Sequence, residues 1–467
     1  MKRVGFIINR MNFRASSGHG VFMKGVTETL IKNGHCIDII SDGAPESNFL
    51  SPLGVNVYIP PTSNRLAYTK HNTLFQFEDT FNFEKAINFR EALTVALSKH
   101  VYDLIICNDT ESAFVCHQMG LHNFIKIASY AHECASINPS LGEGVFKDSY
   151  YALIDHMMFW PEITTLLQTE QNKTVLLDKL KTESDRLHVV IQPYPLTDSD
   201  NQSVSTKDGL LFIGRHEDRK NPAEFMAVLK TIKEKHGIEI KANVMTRSAH
   251  VKKFIDDFAA INHTNYEIVS DVLGTEKAEF IQKSKIAFMP YRNESFGIAV
   301  LEALRYMPTV VLDKYNWHYN FKSFSNYISA PSKSVADVIW DAYNNFKIDE
   351  SKVEIEFSNY QEKYESALLT LLENTPVATA KQEPRFRLYQ YLVANQGKWV
   401  HLGNYFKTQN SKEVIYLASD IDPIYMNRNW FETTHTIADT YLGIPDENGN
   451  IVHVEETQVD FKSEFFG

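Results

Sequence analysis

Residues 4–40, VGFIINRMNFRASSGHGVFMKGVTETLIKNGHCIDII, decide the fold class. Val4-Gly5-Phe6-Ile7-Ile8 is a continuous apolar run of strand length, the form taken by a strand buried on both faces. A Gly/Ser-containing loop, Ser16-Ser17-Gly18-His19-Gly20, separates it from a helical pattern over about 21–32 that Asn33-Gly34 stops. Cys36 to Ile40 reads as a second buried strand. Strand, helix and strand in this order make a βαβ unit, which implies a parallel sheet with a right-handed crossover.

The pattern recurs outward from there. Asp103-Leu104-Ile105-Ile106-Cys107 reads as a strand, with a helix from about Glu111. Phe124 to Tyr130 is a further strand ending at His132-Glu133, and Leu187 to Ile191 is the last of this half, broken by Gln192-Pro193-Tyr194-Pro195. Asp198 to Asp208 is polar and reads as a linker. A second series then begins at Leu210-Leu211-Phe212-Ile213-Gly214 and continues through Ile238–Met245, Tyr266–Val269, Ile286–Pro290 and Thr309–Leu312. The expected architecture is α/β, with two Rossmann-like doubly wound domains (1–197 and 208–350) facing a cleft. Helical periodicity returns over 359–372, the stretch 375–384 is a second linker, and 384–467 is left as a small α+β accessory module.

A chain of 467 residues is too long for one ordinary core, and 43% hydrophobic with 22% charged residues is ordinary for a globular protein. The net charge of −11 argues against a protein that coats nucleic acid over its whole surface, while leaving room for a local basic face. Cys36, Cys107, Cys116 and Cys134 form no CxxC or other metal spacing, so buried reduced thiols are expected. The apolar run after Met1-Lys2-Arg3 ends at Asn9-Arg10, too soon for a signal peptide or a membrane span, and a cytoplasmic protein is expected.

The sharpest chemical signal is Asn293-Glu294-Ser295-Phe296-Gly297-Ile298-Ala299-Val300-Leu301-Glu302, which follows the strand Ile286–Pro290. A polar loop with a glycine after a buried strand puts a helix N-terminus at the mouth of the sheet. There the amides of Phe296, Gly297 and Ile298 can bind phosphate oxygens. Glu294 is expected on the loop and Glu302 about two turns inside the helix. Taken alone, the pattern also fits a capped amphipathic helix with one buried carboxylate. A second signal, Gly214-Arg215-His216-Glu217-Asp218-Arg219-Lys220-Asn221, follows the first strand of the second series. Cations at the carboxyl end of a strand lie where α/β sheets bind ligands, although a solvated charged loop is the ordinary explanation of such a run.

Together these segments resemble the family-four retaining glycosyltransferases (glycosyltransferases group 1, of the two-Rossmann-domain GT-B type). The first matches the family's E-x7-E signature and the second its G-R-x4-K-G loop, with Asn221 where the family usually has glycine. The resemblance spans about residues 1–374. It implies that Arg215 and Lys220 neutralise the departing nucleoside diphosphate, that Glu294 contacts the donor sugar, and that Glu302 binds the ribose hydroxyls. It further implies donor contacts from Gly214, Ser295, Phe296, Gly297 and Ile298. Gly18-His19-Gly20 resembles the family's flexible loop near donor and acceptor, and His132 stands where relatives often hold a histidine facing the sugar. The helix 351–374 looks like the family's crossover to the first, acceptor-side domain. The resemblance implies transfer of a hexosyl or pentosyl unit from a UDP-sugar or similar substrate, with no cofactor and no metal.

Residues 384–467 fall outside the resemblance. A helix over Arg385–Val393, a short strand at Gly397-Lys398-Trp399-Val400 and a second helix from His401 to Phe406 are similar to the opening of a winged-helix domain. Thr434 to Leu442 fits a later helix, and Asn448-Gly449-Asn450 turns a wing whose returning strand is Ile451–Val454. From Lys381 to Lys412 there are six Lys/Arg and one acid, which suits phosphate contacts, or else an interaction module with no nucleic acid. If the module docks duplex DNA, the acceptor is a hydroxymethylated base, as for the phage GT-B enzymes that glycosylate such bases. A cell-surface polysaccharide or glycolipid is the rival acceptor, and a GT-B sugar-nucleotide epimerase is the rival activity.

Overall fold

The computed structural model describes residues 1–13, 17–45, 49–60, 83–108, 110–119, 121–123, 125–132, 163–180, 186–194, 207–214, 217–270, 272, 274–292 and 294–374. In the tail it describes five strand segments within 399–454. The chain divides into two compact units, one made of Met1–Val190 and Ala367–Gly467 and the other of Ile191–Ser366.

The first unit holds β1 (Arg3–Ile8), β2 (Cys36–Ser41), β3 (Asn56–Tyr58), β4 (Leu104–Cys107), β5 (Lys126–Tyr130), β6 (Thr164–Leu167) and β7 (Leu187–Val189). They form one sheet in the order β3-β2-β1-β4-β5-β6-β7, parallel throughout. Val4, Phe6, Ile7 and Ile8 are fully buried, as a strand covered on both faces requires. The helix after β1 starts earlier than expected, at Gly18, so Gly18, His19 and Gly20 form its first turn and not a loop. The reason is Ser17, whose side chain accepts from the Gly20 amide as an N-cap. Phe22, Met23, Val26 and Leu30 then bury one face, and the chain leaves through Gly34 at φ +75°.

The second unit holds β8 (Leu210–Ile213), β9 (Ala242–Met245), β10 (Tyr266–Val269), β11 (Ile286–Met289), β12 (Thr309–Leu312) and β13 (Tyr327–Ala330). Their order, β10-β9-β8-β11-β12-β13, is again parallel throughout. The second sheet therefore follows the doubly wound order 3-2-1-4-5-6 and the first the same order with a seventh strand added at its end, the direction of winding reversing beside the first strand in both. That reversal falls between β1 and β4 in one unit and between β8 and β11 in the other.

A helix over Glu350–Glu373 follows. In the tail, β14 (Trp399–Leu402), β15 (Tyr405–Thr408) and β16 (Val414–Tyr416) pair antiparallel, and β17 (Leu442–Pro445) pairs antiparallel with β18 (Ile451–Val454). The expected helix from His401 to Phe406 is thus replaced by a hairpin. The apolar and polar residues of Trp399-Val400-His401-Leu402 and Tyr405-Phe406-Lys407-Thr408 favour strands, and Gly403-Asn404 is a two-residue hairpin composition. The returning strand Ile451–Val454 is present as expected. The expected helix over Arg385–Val393 lies outside the described residues, as does 434–441 of the later one.

Candidate functional site

In the second unit the loops after β8 and β11 meet at the reversal point. Gly214 follows β8 and has no room for a side chain, since a Cβ would lie 2.7 Å from the Phe212 ring and 3.0 Å from Lys220 Cβ. Arg215 and His216 lie outside the described residues. A single helical turn, Glu217–Lys220, delivers Arg219 and Lys220, and Asn221 then takes the left-handed conformation at φ 55°. Asparagine is the residue that tolerates this region best after glycine, so the departure from the family's glycine leaves the turn intact. Pro222 follows as the first residue of the helix Pro222–His236.

The loop after β11 approaches this turn from the other side. The Arg292 amide donates to the Arg219 carbonyl at 2.8 Å, and the Asn221 amide group donates to the Pro290 carbonyl at 3.4 Å. Trp317 Nε1 donates to the Tyr291 carbonyl at 2.9 Å. Tyr291 is fully buried, its hydroxyl donating to the Ile213 carbonyl, and its ring lies 3.8 Å beneath Lys220 Nζ. Burial and the nearby charges of Glu294 and Glu302 push its phenol well above the usual range, so it stays neutral.

Lys220 Nζ stands 2.5 Å from Glu294 Oε1, with Arg219 Nε 3.6 Å from the same oxygen. Ser295, Phe296 and Gly297 lead into the helix Ile298–Leu304, with Phe296 buried against Phe321. Gly297 holds φ +93°, and a Cβ there would sit 2.8 Å from Trp317, so no other residue fits the turn. Glu302 lies just over one turn inside this short helix, nearer its start than the two turns expected, and is buried. Lys277, from the helix Gly274–Gln282, reaches it at 2.5 Å. Nothing in the sequence marks Lys277, because its partner comes from another helix.

In the first unit a neutral polar cluster occupies the equivalent reversal point. Asn108, directly after β4, has its amide nitrogen 2.9 Å from His19 Nδ1 and its carbonyl oxygen 2.5 Å from His132 Nε2. Gln168, directly after β6, places Nε2 3.4 Å from His132 Nδ1. The rings of His19 and His132 stack at 3.7 Å. Burial, with some help from His19, holds His132 well below the usual histidine range, so it is neutral near pH 7. Of these residues His19 and His132 stood out in the sequence, whereas Asn108 and Gln168 did not.

Among the described residues no group of His, Cys, Asp or Glu is placed to hold a metal ion, and no helix is long and apolar enough to cross a membrane. The three cysteines described, Cys36, Cys107 and Cys116, are free thiols.

Residues 196–353 match the family model described as glycosyl transferases group 1. An uncharacterized glycosyltransferase of Methanocaldococcus jannaschii is 22% identical over 310 residues, covering 62% of this chain and 75% of its own length. Two solved structures share the fold. WaaG, a glycosyltransferase involved in lipopolysaccharide biosynthesis, superposes with a TM-score of 0.55 at 14% identity over 80% of this chain and 99% of its own. A TarM variant from S. aureus, in complex with fondaparinux, α-GlcNAc-glycerol and UDP, superposes with a TM-score of 0.58 at 12% identity over 80% and 99%.

Proposed function

We propose, from the match of residues 196–353 to the glycosyl transferases group 1 model, that the protein moves a hexosyl or pentosyl unit from a nucleoside diphosphate sugar to a hydroxyl acceptor, with retention and without a metal. The observation that carries this reading is the Lys220–Glu294 contact, which sets a cation and a carboxylate side by side where the winding of the second sheet reverses.

As the bond from the sugar's anomeric carbon to the diphosphate breaks, its electron pair goes to the leaving phosphate oxygen. Lys220 supplies positive charge there, and Arg215 of the same loop adds a bidentate grip. Charge that develops only in the transition state is stabilised by a cation already in place, which raises turnover more than it tightens ground-state binding. Glu294 accepts from sugar hydroxyls, and Glu302 accepts from the ribose. The acceptor oxygen bonds to the anomeric carbon on the face the phosphate leaves, and its proton passes to that phosphate. No protein nucleophile is needed. With two cations on the diphosphate, a divalent ion has no separate task.

For the acceptor we propose a hydroxymethylated base in duplex DNA, supported by the six Lys/Arg against one acid between Lys381 and Lys412. The likeness to WaaG favours a cell-surface glycan in its place. A thermal-shift screen of nucleotide sugars, followed by mass spectrometry of DNA and glycan acceptors, tests both levels. Stabilisation by a UDP-sugar and a mass gain of one sugar unit on either acceptor is the expected result. Release of free nucleotide with an epimerised sugar and no acceptor product would replace transfer by epimerisation.

A further inference from the structure

We infer that Tyr291 is a positioning residue: the face of its ring holds the ammonium group of Lys220 at the place of the departing diphosphate without cancelling its charge. The inference rests on the glycosyltransferase reading above and adds the group that keeps the cation in place once Glu294 gives it up.

Lysine carries its charge at the end of a flexible stem, so an ammonium group that must act at one point needs a support. Two of the groups that touch Lys220 Nζ differ in kind. Glu294 Oε1, at 2.5 Å, holds it by opposite charge and so cancels what it holds. The Tyr291 ring, its centroid 3.8 Å from Nζ, holds it by the negative face of an aromatic quadrupole, which carries no net charge. A diphosphate can displace the carboxylate, since both are anions that seek the same cation. The ring is no anion, and it can stay against the ammonium group while phosphate oxygens take the place of Glu294. The phenol remains neutral in this setting, so it cannot become a second counter-ion.

The ring itself is fixed. Tyr291 is fully buried, and its hydroxyl donates to the carbonyl of Ile213, the last residue of β8. Its own carbonyl accepts from Trp317 Nε1 at 2.9 Å. Phe212 meets the ring edge-on with 6.3 Å between centroids, and Trp317 stacks on it at 5.7 Å. Tyr291 also stands two residues beyond Met289, where β11 ends. One side chain thus ties the ends of β8 and β11, the strands between which the winding reverses, and Lys220 rests on that tie. A support that is rigid before the donor arrives leaves less ordering for the transition state. Filling this space asks only for an apolar side chain. Holding a cation asks for a π face, and the two demands can be separated by experiment.

The test has two arms. In full-length protein labelled with 13C at lysine Cε, the Lys220 signal is assigned by its loss in Lys220→Arg. Protons held above a ring face are shielded by its ring current. The Lys220 ε protons are therefore expected upfield of the usual lysine range, returning towards it in Tyr291→Leu. An unshifted signal in the wild type would overturn the contact, and this arm needs no turnover. The second arm varies the ring and not its size. Tyr291→Phe is the reference, and phenylalanines with one, two and three ring fluorines are then placed at the same position. Each fluorine withdraws electron density from the ring face while nearly matching hydrogen in volume. The expected result is a stepwise fall in kcat, about 10-fold across the series, with donor KM and the urea midpoint changed far less. A flat kcat across the series in an active enzyme would reduce Tyr291 to packing and overturn the inference. Inactivity of the wild type with every nucleotide sugar would instead overturn the proposed function and the role drawn from it, whatever the ring-current arm shows.

Discussion

Lys220 and Glu294 come from loops after two different strands, β8 and β11, and meet with 2.5 Å between Nζ and Oε1. Their side chains are only 11% and 10% exposed, so the pair is shielded from water and each charge depends on the other. A donor diphosphate would compete with Glu294 for the same ammonium group. Under the proposed function, the contact balances positive charge in the absence of donor and would release it to the leaving group when donor binds.

Lys220→Ala is expected to lower kcat by about 100-fold or more, because a charge aimed at the departing phosphate is lost. It should also lower unfolding free energy by ~1–3 kcal/mol, less than the usual cost of stranding a buried charge, since Arg219 remains 3.6 Å from Glu294. Steady-state kinetics and urea denaturation on the same preparation check both halves. Wild-type turnover would remove Lys220 from the reaction.

Glu302→Gln keeps the shape of the side chain and would weaken the charge-assisted bonds to the ribose that the proposed function assigns to it. Donor affinity is expected to fall by ~1.5–3 kcal/mol, read mainly as a raised donor KM. Lys277→Met leaves Glu302 without its 2.5 Å partner and should shift donor KM as well, with kcat moved less. Unchanged donor KM in both variants would give the pair a purely structural role.

Activity is expected to survive EDTA, because the positive charge on the leaving group is assigned to Lys220 and Arg215. A strict need for Mn²⁺ or Mg²⁺ after chelation and add-back would contradict that assignment.

The buried, neutral state of His132 has a consequence for acid stability. Its folded pKa lies below the unfolded value of about 6.5, so the unfolded chain takes up a proton that the folded chain refuses. Stability contributed this way is complete above about pH 6.5 and declines as the pH falls below it. His132→Gln should flatten the decline between pH 7 and pH 5 by up to one proton, as measured by urea midpoints with m-values. His35, His100 and His318 are lowered by burial too, which is why the difference between variant and wild type is the quantity to read.

If the tail docks DNA, charge reversal at Arg387 or Lys398 should weaken duplex binding. The salt slope should fall by about one for each phosphate that is no longer neutralised. No measurable binding of full-length protein to plain or hydroxymethylated duplex at low salt would make a glycan the better acceptor.

Much of this organisation is legible in the residues because parallel strands buried on both faces leave unbroken apolar runs, as Val4–Ile8 and Ile286–Met289 do. The strands β3, β6 and β13 are not legible in the same way. Asn56–Tyr58 is three residues long, Thr164–Leu167 opens on two threonines, and Tyr327–Ala330 is only half-buried. Such strands are defined by the neighbour they pair with, and local pattern carries little of that. The same division holds in the site. Glu294, Glu302 and Lys220 sit in continuous motifs, whereas Lys277, Asn108 and Gln168 acquire partners only through space. The first-turn placement of His19 was readable in principle from Ser17, a strong N-cap residue one position ahead of the helix.

All six strands of the second sheet point the same way, which sorts its connections into two kinds. Segments that leave a strand's carboxyl end emerge on one rim, the rim of Lys220 and Glu294. Segments that lead back into the next strand, such as Gly209 and Asn265, lie on the opposite rim and hold backbone in place, with Leu210 N bonded to Lys241 O and Ala242 N to Asn265 O. Inheritance can therefore act on the two rims separately. Substitutions on one alter which molecules are accepted, while the other keeps the scaffold standing, so a lineage can change its trade without rebuilding its house.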